Sequence, residues 1–269
     1  MLNIMDSFKQ YLLETKLAKT TIAAHNRNLD TLGNILLSDI DIIIQYLKTT
    51  FTVNQIYQLN KTISKYLDFN DRTKDRVKLL EFATDIKTQV AKHQLDKTKN
   101  IKTKIEDGEL KTIKQLYDAL DVLYDTGQYK KYIVNYILLN YHTRNLDLDL
   151  TITFSRKYMN SVENYLLVRK TKVEFIRNNY KTVDLYGEKI YTNRDPRFVY
   201  ACLHVGEMKL LHTSNIGREV KSMTIDNLSE SEINKIAMYA LPANKIEYMS
   251  KSRGTSVQVL LDSYNPNKI

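Results

Sequence analysis

Three residues in the second half of the chain have side-chain types that can take part in chemistry. Arg144 follows an apolar stretch and precedes Asp147 by three positions in YHTRNLD. Lys181 lies in the turn-like stretch NNYKT, and Tyr264 ends the stretch RGTSVQVLLDSY. A guanidinium forms paired hydrogen bonds to phosphate oxygens, an ammonium can donate a proton, and a phenol can act as a nucleophile. Each motif alone is common, so its meaning depends on the elements that position it.

The composition restricts the class of protein. The chain has 269 residues, of which 43% are hydrophobic and 26% charged, as in ordinary folded proteins. Only 7 Gly and 3 Pro argue against a turn-rich sandwich or barrel and favour helices. A net charge of +9 favours a polyanionic partner.

The cysteine content and the hydropathy bear on the environment of the chain. Cys202 is the single cysteine, which excludes an internal disulfide and a four-thiolate zinc site and suits a reducing compartment. No apolar run approaches the roughly 20 residues of a membrane span. We therefore expect a soluble intracellular protein without a membrane partner.

The first 90 residues show five amphipathic segments with helical periodicity. Apolar side chains recur at helical spacing, for example at Leu29, Leu32 and Leu36, and the fifth segment runs from about residue 72 to 90. The pattern predicts a small helical bundle over residues 1–90.

Residues 91–109 are poor in apolar side chains and rich in lysine. The simple interpretation is a solvated linker between two domains. A second interpretation, compatible with the first, is a flexible basic strap that follows a phosphate backbone. Its lysines are Lys92, Lys97, Lys99, Lys102 and Lys104.

From residue 110 the pattern changes from helices to short β-type segments and then back to helices. Helices are predicted over 110–124 and 129–142, and again at intervals from 196 to 263, among them one over about 230–240. Between them, strands are predicted over 151–154, 165–169, 173–176 and 182–185. The fold class is therefore predicted as mostly α with a small antiparallel sheet (α+β), and the second domain as 110–269.

Several stretches of the second domain, in order, resemble the catalytic domain of the tyrosine recombinases, the phage-integrase family. YKKYIVNYILLNYHTRNLDLDL resembles the apolar helix that ends in an arginine followed by an acidic residue. FIRNNYKTVDLYGEKI resembles the sheet hairpin with its turn lysine, and RGTSVQVLLDSY resembles the family's GHS…Y ending. The first domain, with FKQYLLETKLAKTTIAAHNRNLDTL, is similar to the family's helical core-binding domain. The likeness is to the divergent branch found in large DNA viruses and mobile elements.

The resemblance implies double-stranded DNA as the partner and a strand transfer that needs no metal and no cofactor. Tyr264 would attack a phosphate to form a 3′-phosphotyrosyl link, Arg144 would stabilise the transition state, and Lys181 would protonate the leaving oxygen. The family also implies assembly as a homo-oligomer on DNA and an association with viral DNA or a virion. Backbone phosphate contacts are expected from Lys92, Lys97, Lys99, Lys102, Lys104, Lys170, Lys172 and Arg218.

The family's second arginine and its histidine are missing where the resemblance would place them. The matching region TIDNLSESEI puts that box at Asp226 and Ser229, or one turn later, and Thr255 replaces the GHS histidine. His212 and Arg218 lie upstream, but their spacing is six positions and not three. Loss of one transition-state charge partner typically lowers the rate by about 10²–10³. The sequence therefore predicts a degraded catalytic centre.

Three functional readings follow. The leading one is a DNA-binding protein of recombinase-like fold that has lost strand transfer and acts structurally on DNA. The second is an active recombinase with divergent charge partners that cleaves through Tyr264. The third is a protein–protein scaffold, such as a virion component, that kept the fold without binding DNA. A binding assay at low and moderate salt separates the third from the others.

Overall fold

The chain forms two compact units, Met1–Gln94 and Leu95–Ile269. The structure, a computed structural model, describes residues 4–212 and 215–265, without the side chains of residues 97–99 and 243. Each unit has its own apolar core.

The first unit is a helical bundle, as its periodicity predicts. Its core includes Phe8, Leu12, Leu29 and Ile63, each of which is almost completely buried. The helices are α1 (Ile4–Glu14), α2 (Lys19–Leu32), α3 (Ile40–Thr50), α4 (Val53–Phe69) and the beginning of α5 (Thr73–Glu106).

Residues 91–106 form the last part of α5, so the expectation of a flexible strap over 91–109 is wrong for most of that segment. Lysine is a good helix former, and neither glycine nor proline interrupts this stretch before Gly108. Ile101 and Ile105, four positions apart, are both buried in the core of the second unit. Lys102 and Lys104 flank them and are half-exposed. Lys97 and Lys99 belong to the helix, but their side chains lie outside the described residues.

The second unit is mostly helical with a small sheet, which confirms the α+β class. Glu230–Ala240 forms a helix with the bounds that the periodicity predicts. None of the described helices is both long and apolar enough to cross a membrane. The remaining elements are α6 (Ile113–Asp125), α7 (Tyr129–Tyr141), β1 (Leu150–Thr153), β2 (Asn164–Arg169), β3 (Lys172–Arg177), α8 (Val183–Tyr186), β4 (Lys189–Asn193), α9 (Pro196–Val205), β5 (Met208–Lys209), α10 (Ile216–Met223), α11 (Glu230–Ala240), α12 (Ile246–Arg253) and α13 (Val257–Tyr264).

The sheet is mixed, with strand order β4-β3-β2-β1-β5. Strands β1 and β2 are parallel and the other neighbouring pairs are antiparallel, which corrects the prediction of a wholly antiparallel sheet. Side-chain alternation is the same in both kinds of ladder, so the sequence pattern could not reveal strand direction. The predicted strand over 182–185 is also wrong, because 183–186 form α8 and the strand follows at β4.

One face of the sheet packs against helices. Leu166, Val173 and Phe175 point to this face and belong to the same core as α7 and α9. Arg177, two positions after Phe175 on β3, is on the same side and is fully buried. A guanidinium is thereby held at the end of the apolar layer, beside the loop that follows α7.

Candidate functional site

The loop after α7 presents Arg144. The helix ends at Tyr141, and His142 turns the chain with a left-handed φ of 50°. The Asp147 carboxylate accepts the backbone N–H of Arg144 at 2.7 Å. The three-residue spacing of the Arg-x-x-Asp motif therefore closes a turn, which fixes the direction in which the half-buried Arg144 side chain leaves the backbone.

Arg253, at the end of α12, is the central cation of the site. Its side chain is 1% exposed. Nη1 donates to the carbonyl oxygens of His142 and Thr143 at 3.0 and 3.2 Å. Nη2 donates to the Glu230 carboxylate and, at 2.5 Å, to the Tyr264 hydroxyl. All four terminal N–H groups of this guanidinium thus have partners inside the protein.

Two of the three predicted catalytic residues, Arg144 and Tyr264, meet through Arg253. Arg144 Nη1 donates to the Arg253 carbonyl oxygen at 2.8 Å. The Arg253 guanidinium also stacks on the Tyr264 ring, with 4.4 Å between its carbon and the ring centroid. Residues 120 positions apart are therefore brought to one place. Arg253 was missed as a functional cation, although it begins the motif RGTSVQVLLDSY, because the second cation was sought in the upstream box and at His212 and Arg218.

Gly254 makes the sharp turn between α12 and α13 that places Tyr264 over Arg253. Its φ is 64°, a left-handed conformation that favours glycine. A Cβ at this position would lie 2.7 Å from Thr182 Oγ1, which donates a hydrogen bond to the Gly254 carbonyl oxygen at 2.8 Å. The close approach leaves no room for another residue type.

A second buried arginine lies beneath the loop. Arg177 Nη2 contacts the Asp147 carboxylate at 2.7 Å, and both side chains are 0% exposed. Arg177 Nη1 donates to the Ser252 carbonyl oxygen at 2.5 Å. Burial raises the pKa of Asp147, and Arg177 opposes that rise. Sequence reasoning missed Arg177, although its alternation with Val173 and Phe175 placed it on the core face of β3.

The third predicted catalytic residue, Lys181, does not join this group in the part of the chain that the structure describes. It lies exposed in the turn after β3. Lys189, at the start of β4, is the nearer lysine: its Nζ donates to the Lys251 carbonyl oxygen at 2.5 Å. Burial is the main cause that lowers the pKa of Lys189, and the charge of Arg177 lowers that pKa further.

We define the arginine–tyrosine cluster as Arg144, Arg177, Arg253 and Tyr264 together with the carboxylates Asp147 and Glu230. Positive charge exceeds negative charge, since three guanidinium groups face two carboxylates. Burial and the charge of Arg253 lower the pKa of Arg144. The same two causes lower the pKa of His142, in the adjoining loop, to about 4. The region is therefore electropositive and poor in water, which strengthens its interaction with an anion.

Buried polar atoms without a hydrogen-bond partner concentrate around this cluster. A buried polar group without a partner costs about 1–3 kcal/mol and calls for an explanation, and a binding site is one. Among the described residues these atoms include His142 Nδ1, Thr143 Oγ1, Asn145 Oδ1, Asp147 Oδ1, Arg177 Nε and Arg253 Nε.

Only Arg144 among the cluster arginines is open to a ligand. Arg177 and Arg253 are buried and engaged with the protein, whereas Arg144 is half-exposed and gives a single hydrogen bond from Nη1 to a described residue. A guanidinium has five N–H donors in a planar fork. The remaining donors of Arg144 suit the oxygens of a phosphate or carboxylate.

The region expected to hold the family's His-x-x-Arg box is instead acidic and structural. Ser229 caps α11 and shares a capping box with Glu232. Asp226 pairs with Lys111 at 2.7 Å. Glu230 is the residue of this region that reaches the arginine–tyrosine cluster, where it neutralises part of the charge on Arg253.

The remaining predicted DNA contacts lie at various places on the two units. Lys92 is exposed on α5, and Lys170 is exposed in the turn between β2 and β3. Lys172 is committed to Glu174 at 2.7 Å. Arg218 is exposed in the first turn of α10. Its neighbour Gly217 packs against the Arg144 loop, because a Cβ there would lie 3.5 Å from Asn145 Nδ2.

Comparison of the chain with protein families, with curated proteins and with solved structures finds no match.

Proposed function

We propose that the chain binds double-stranded DNA through a second unit of tyrosine-recombinase-like fold, and that the arginine–tyrosine cluster holds a backbone phosphate without cleaving it. The observation that carries the proposal is a difference in hydrogen bonding between the arginines of the cluster. Arg144 has hydrogen-bond donors that a ligand can reach, whereas all four terminal N–H groups of Arg253 donate to protein oxygens. One guanidinium suffices to grip a phosphate, but strand transfer needs several preorganised cations.

The surroundings of Tyr264 disfavour cleavage. Its hydroxyl accepts a hydrogen bond from Arg253 and lies beside a guanidinium that is already paired with Glu230. A phosphate brought to this hydroxyl would meet the negative charge of Glu230 in a region of low dielectric, where like charges repel strongly. In place of the box arginine the region supplies Ser229, Glu230 and Glu232, and the cation beside the hydroxyl, Arg253, already donates to protein oxygens from both terminal nitrogens.

Two further cations near the loop suit a longer stretch of DNA backbone. Arg218 is exposed in the first turn of α10, the helix that packs beside the Arg144 loop, and the half-buried Lys189 lies at the start of β4. Phosphate contacts require cations on a suitable face and tolerate loose geometry, so this arrangement supports binding without sequence reading.

The Arg144→Gln variant tests the proposal. We expect its affinity for a 20–30 base-pair duplex, measured by fluorescence anisotropy, to fall about tenfold, because a hydrogen bond to a charged group contributes about 1.5–3 kcal/mol. The slope of log K against log salt should become shallower by about 0.9 for the one phosphate lost. Lys114→Gln is the matched control: it removes one positive charge from an exposed pair with Asp118 on α6. Equal effects of the two variants, or no duplex binding by the unmodified chain, would refute the proposal.

An active recombinase is the second candidate, favoured by the 2.5 Å contact between a guanidinium and the Tyr264 hydroxyl. This reading predicts covalent capture of a nicked suicide duplex, lost in Tyr264→Phe and retained in Tyr248→Phe, a tyrosine at an exposed position on α12. Binding without cleavage, as proposed above, predicts no covalently captured band with the unmodified chain or with either variant. A band that depends on Tyr264 would establish cleavage and displace the structural role.

A further inference from the structure

A groove between β4 and the turn that joins α12 to α13 lies beside the arginine–tyrosine cluster. It encloses about 530 Å³, and known ligand pockets range from about 300 to 1,000 Å³. The groove is therefore large enough for a small organic group, and it lies within the second unit. Its described lining residues include Tyr186 of α8, Lys189 of β4, Glu247 and Lys251 of α12, Gly254, and Val257 of α13.

The groove adjoins the site proposed for phosphate. Arg144 Nη1 donates to the Arg253 carbonyl oxygen at 2.8 Å, and the next residue, Gly254, lines the groove. Lys189 Nζ lies 3.5 Å from the position that a Cβ on Gly254 would take, so this lysine is at the same end of the groove. Because the base and the phosphate of a nucleotide are covalently joined, a phosphate bound by Arg144 brings its nucleoside close to the groove.

The aromatic wall of the groove is open to a ligand. The Tyr186 side chain is 54% exposed and Val257 is 39% exposed, so a ligand in the groove can contact both. Tyr191 adds a second ring, which is half-buried. Aromatic rings bind nucleobases by stacking, which every base permits because each has a π face. A base packed on Tyr186 and Val257 would also remove apolar surface from water.

The charges of the groove suit a nucleic acid strand. Two lysines and one carboxylate are among the described lining residues, and the carboxylate, Glu247, is paired with Lys251 at 2.7 Å. Lys189 Nζ lies 5.2 Å from the centroid of the Tyr186 ring. Grooves that bind single-stranded nucleic acid combine positive charge with aromatic rings in the same way. The charge of these lining residues is thus net positive next to a stacking surface.

We propose that this groove takes up one unpaired nucleobase of the strand whose phosphate Arg144 binds. The inference rests on the proposed function and narrows its substrate: the chain prefers DNA with an extrahelical or single-stranded base to a fully paired duplex. A base inside a duplex is covered on both faces by its neighbours and cannot stack on Tyr186. Stacking is tolerant of sequence, so any of the four bases can occupy the groove.

Fluorescence anisotropy of the full chain with three DNA molecules of the same flanking sequence tests the inference. The first is fully paired, the second has one extrahelical 2-aminopurine, and the third has an abasic residue at the same bulge, which keeps the flexibility without the base. The 2-aminopurine bulge should bind at least about fivefold more tightly than the other two, a factor that corresponds to about 1 kcal/mol. The emission of 2-aminopurine should also fall on binding, because stacking quenches this base.

The Tyr186→Ala variant isolates the aromatic wall. It should bring the affinity for the 2-aminopurine bulge within about twofold of that for the abasic bulge and abolish the quenching. Its affinity for the paired duplex should stay unchanged. Tyr186→Phe should keep the preference and the quenching, because it keeps the ring.

Tyr158→Ala is the matched control. Tyr158 is 72% exposed and lies outside the groove, and Lys157 Nζ is 5.8 Å from its ring centroid, so it is also an exposed tyrosine beside a lysine. This variant should keep the preference for the extrahelical base and the quenching.

The affinity for the paired duplex tests the proposed function, and the preference for the extrahelical base tests the inference. Binding of the paired duplex without that preference would overturn only the inference. A preference that survives Tyr186→Ala, or that Tyr158→Ala removes equally, would also overturn it. Binding of the 2-aminopurine bulge alone would refute double-stranded DNA as the partner and support uptake of the base. Binding of none of the three would refute both.

Discussion

Replacing Arg253 with methionine should lower the free energy of unfolding by about 3–5 kcal/mol, the usual consequence of removing one partner of a buried ion pair. The Glu230 carboxylate, whose side chain is 13% exposed, would lose its counterion. The carbonyl oxygens of His142 and Thr143 and the Tyr264 hydroxyl would lose their donor at the same time. Urea unfolding followed by circular dichroism measures the loss.

The matched control is Arg197→Met. Arg197 pairs with Asp121 at 2.7 Å, but the two side chains are 48% and 60% exposed, so the expected loss is below about 1 kcal/mol. Hydrogen exchange should locate the effect of Arg253→Met. Exchange should become faster over residues 246–264, because without Arg253 the small cluster of Met238, Met249 and Leu260 would be left to hold α13 in place. A loss equal to that of the control would mean that Arg253 does not hold the site together.

Replacing Arg177 with methionine should cost a similar amount, about 3–5 kcal/mol at neutral pH, because it leaves the Asp147 carboxylate buried and unpaired. The double variant Arg177→Met with Asp147→Asn should recover at least about half of that loss, since it removes the uncompensated charge. The asparagine side chain can still accept the backbone N–H of Arg144 and so preserve the turn. A double variant no more stable than the single one would contradict the pairing.

The loss in Arg177→Met should also depend on pH. Burial raises the pKa of Asp147, and without Arg177 the folded-state pKa moves further above the unfolded value. A group with a raised folded-state pKa stabilises the fold at low pH, and this contribution disappears as the pH rises through that pKa. The free energy of unfolding of Arg177→Met should therefore be closer to that of the unmodified protein at pH 5 than at pH 8. The double variant should show no such trend.

Both predictions concern residues that connect the arginine–tyrosine cluster to the rest of the second unit. Arg253 ties the loop after α7 to α11 and α13, and Arg177 ties the same loop to β3. Their engagement is also the reason why Arg144 alone is proposed to bind phosphate. A chain with Arg253 freed from Glu230, as in Glu230→Gln, would therefore be the natural background in which to look for recovered cleavage.

The sequence by itself determined the local features of this protein. Helical periodicity gave the bundle of the first unit and the bounds of α11, and β-branched and aromatic runs located β1, β2 and β3. The sequence also places Asp147 three positions after Arg144, and in the structure its carboxylate closes a turn there. These features depend on residues a few positions apart, so the sequence contains the information that specifies them.

Only the tertiary structure decided strand direction and the identity of the cations beside Tyr264. Arg253 reaches Glu230 across the interface of three helices, and Arg177 meets Asp147 from a strand that is distant in sequence. Lys181 and Lys189 are alike in sequence, yet packing leaves the first exposed and brings the second to the cluster. Which cations become buried or stay open depends on long-range packing, because burial is a property of the folded neighbourhood and not of the local sequence.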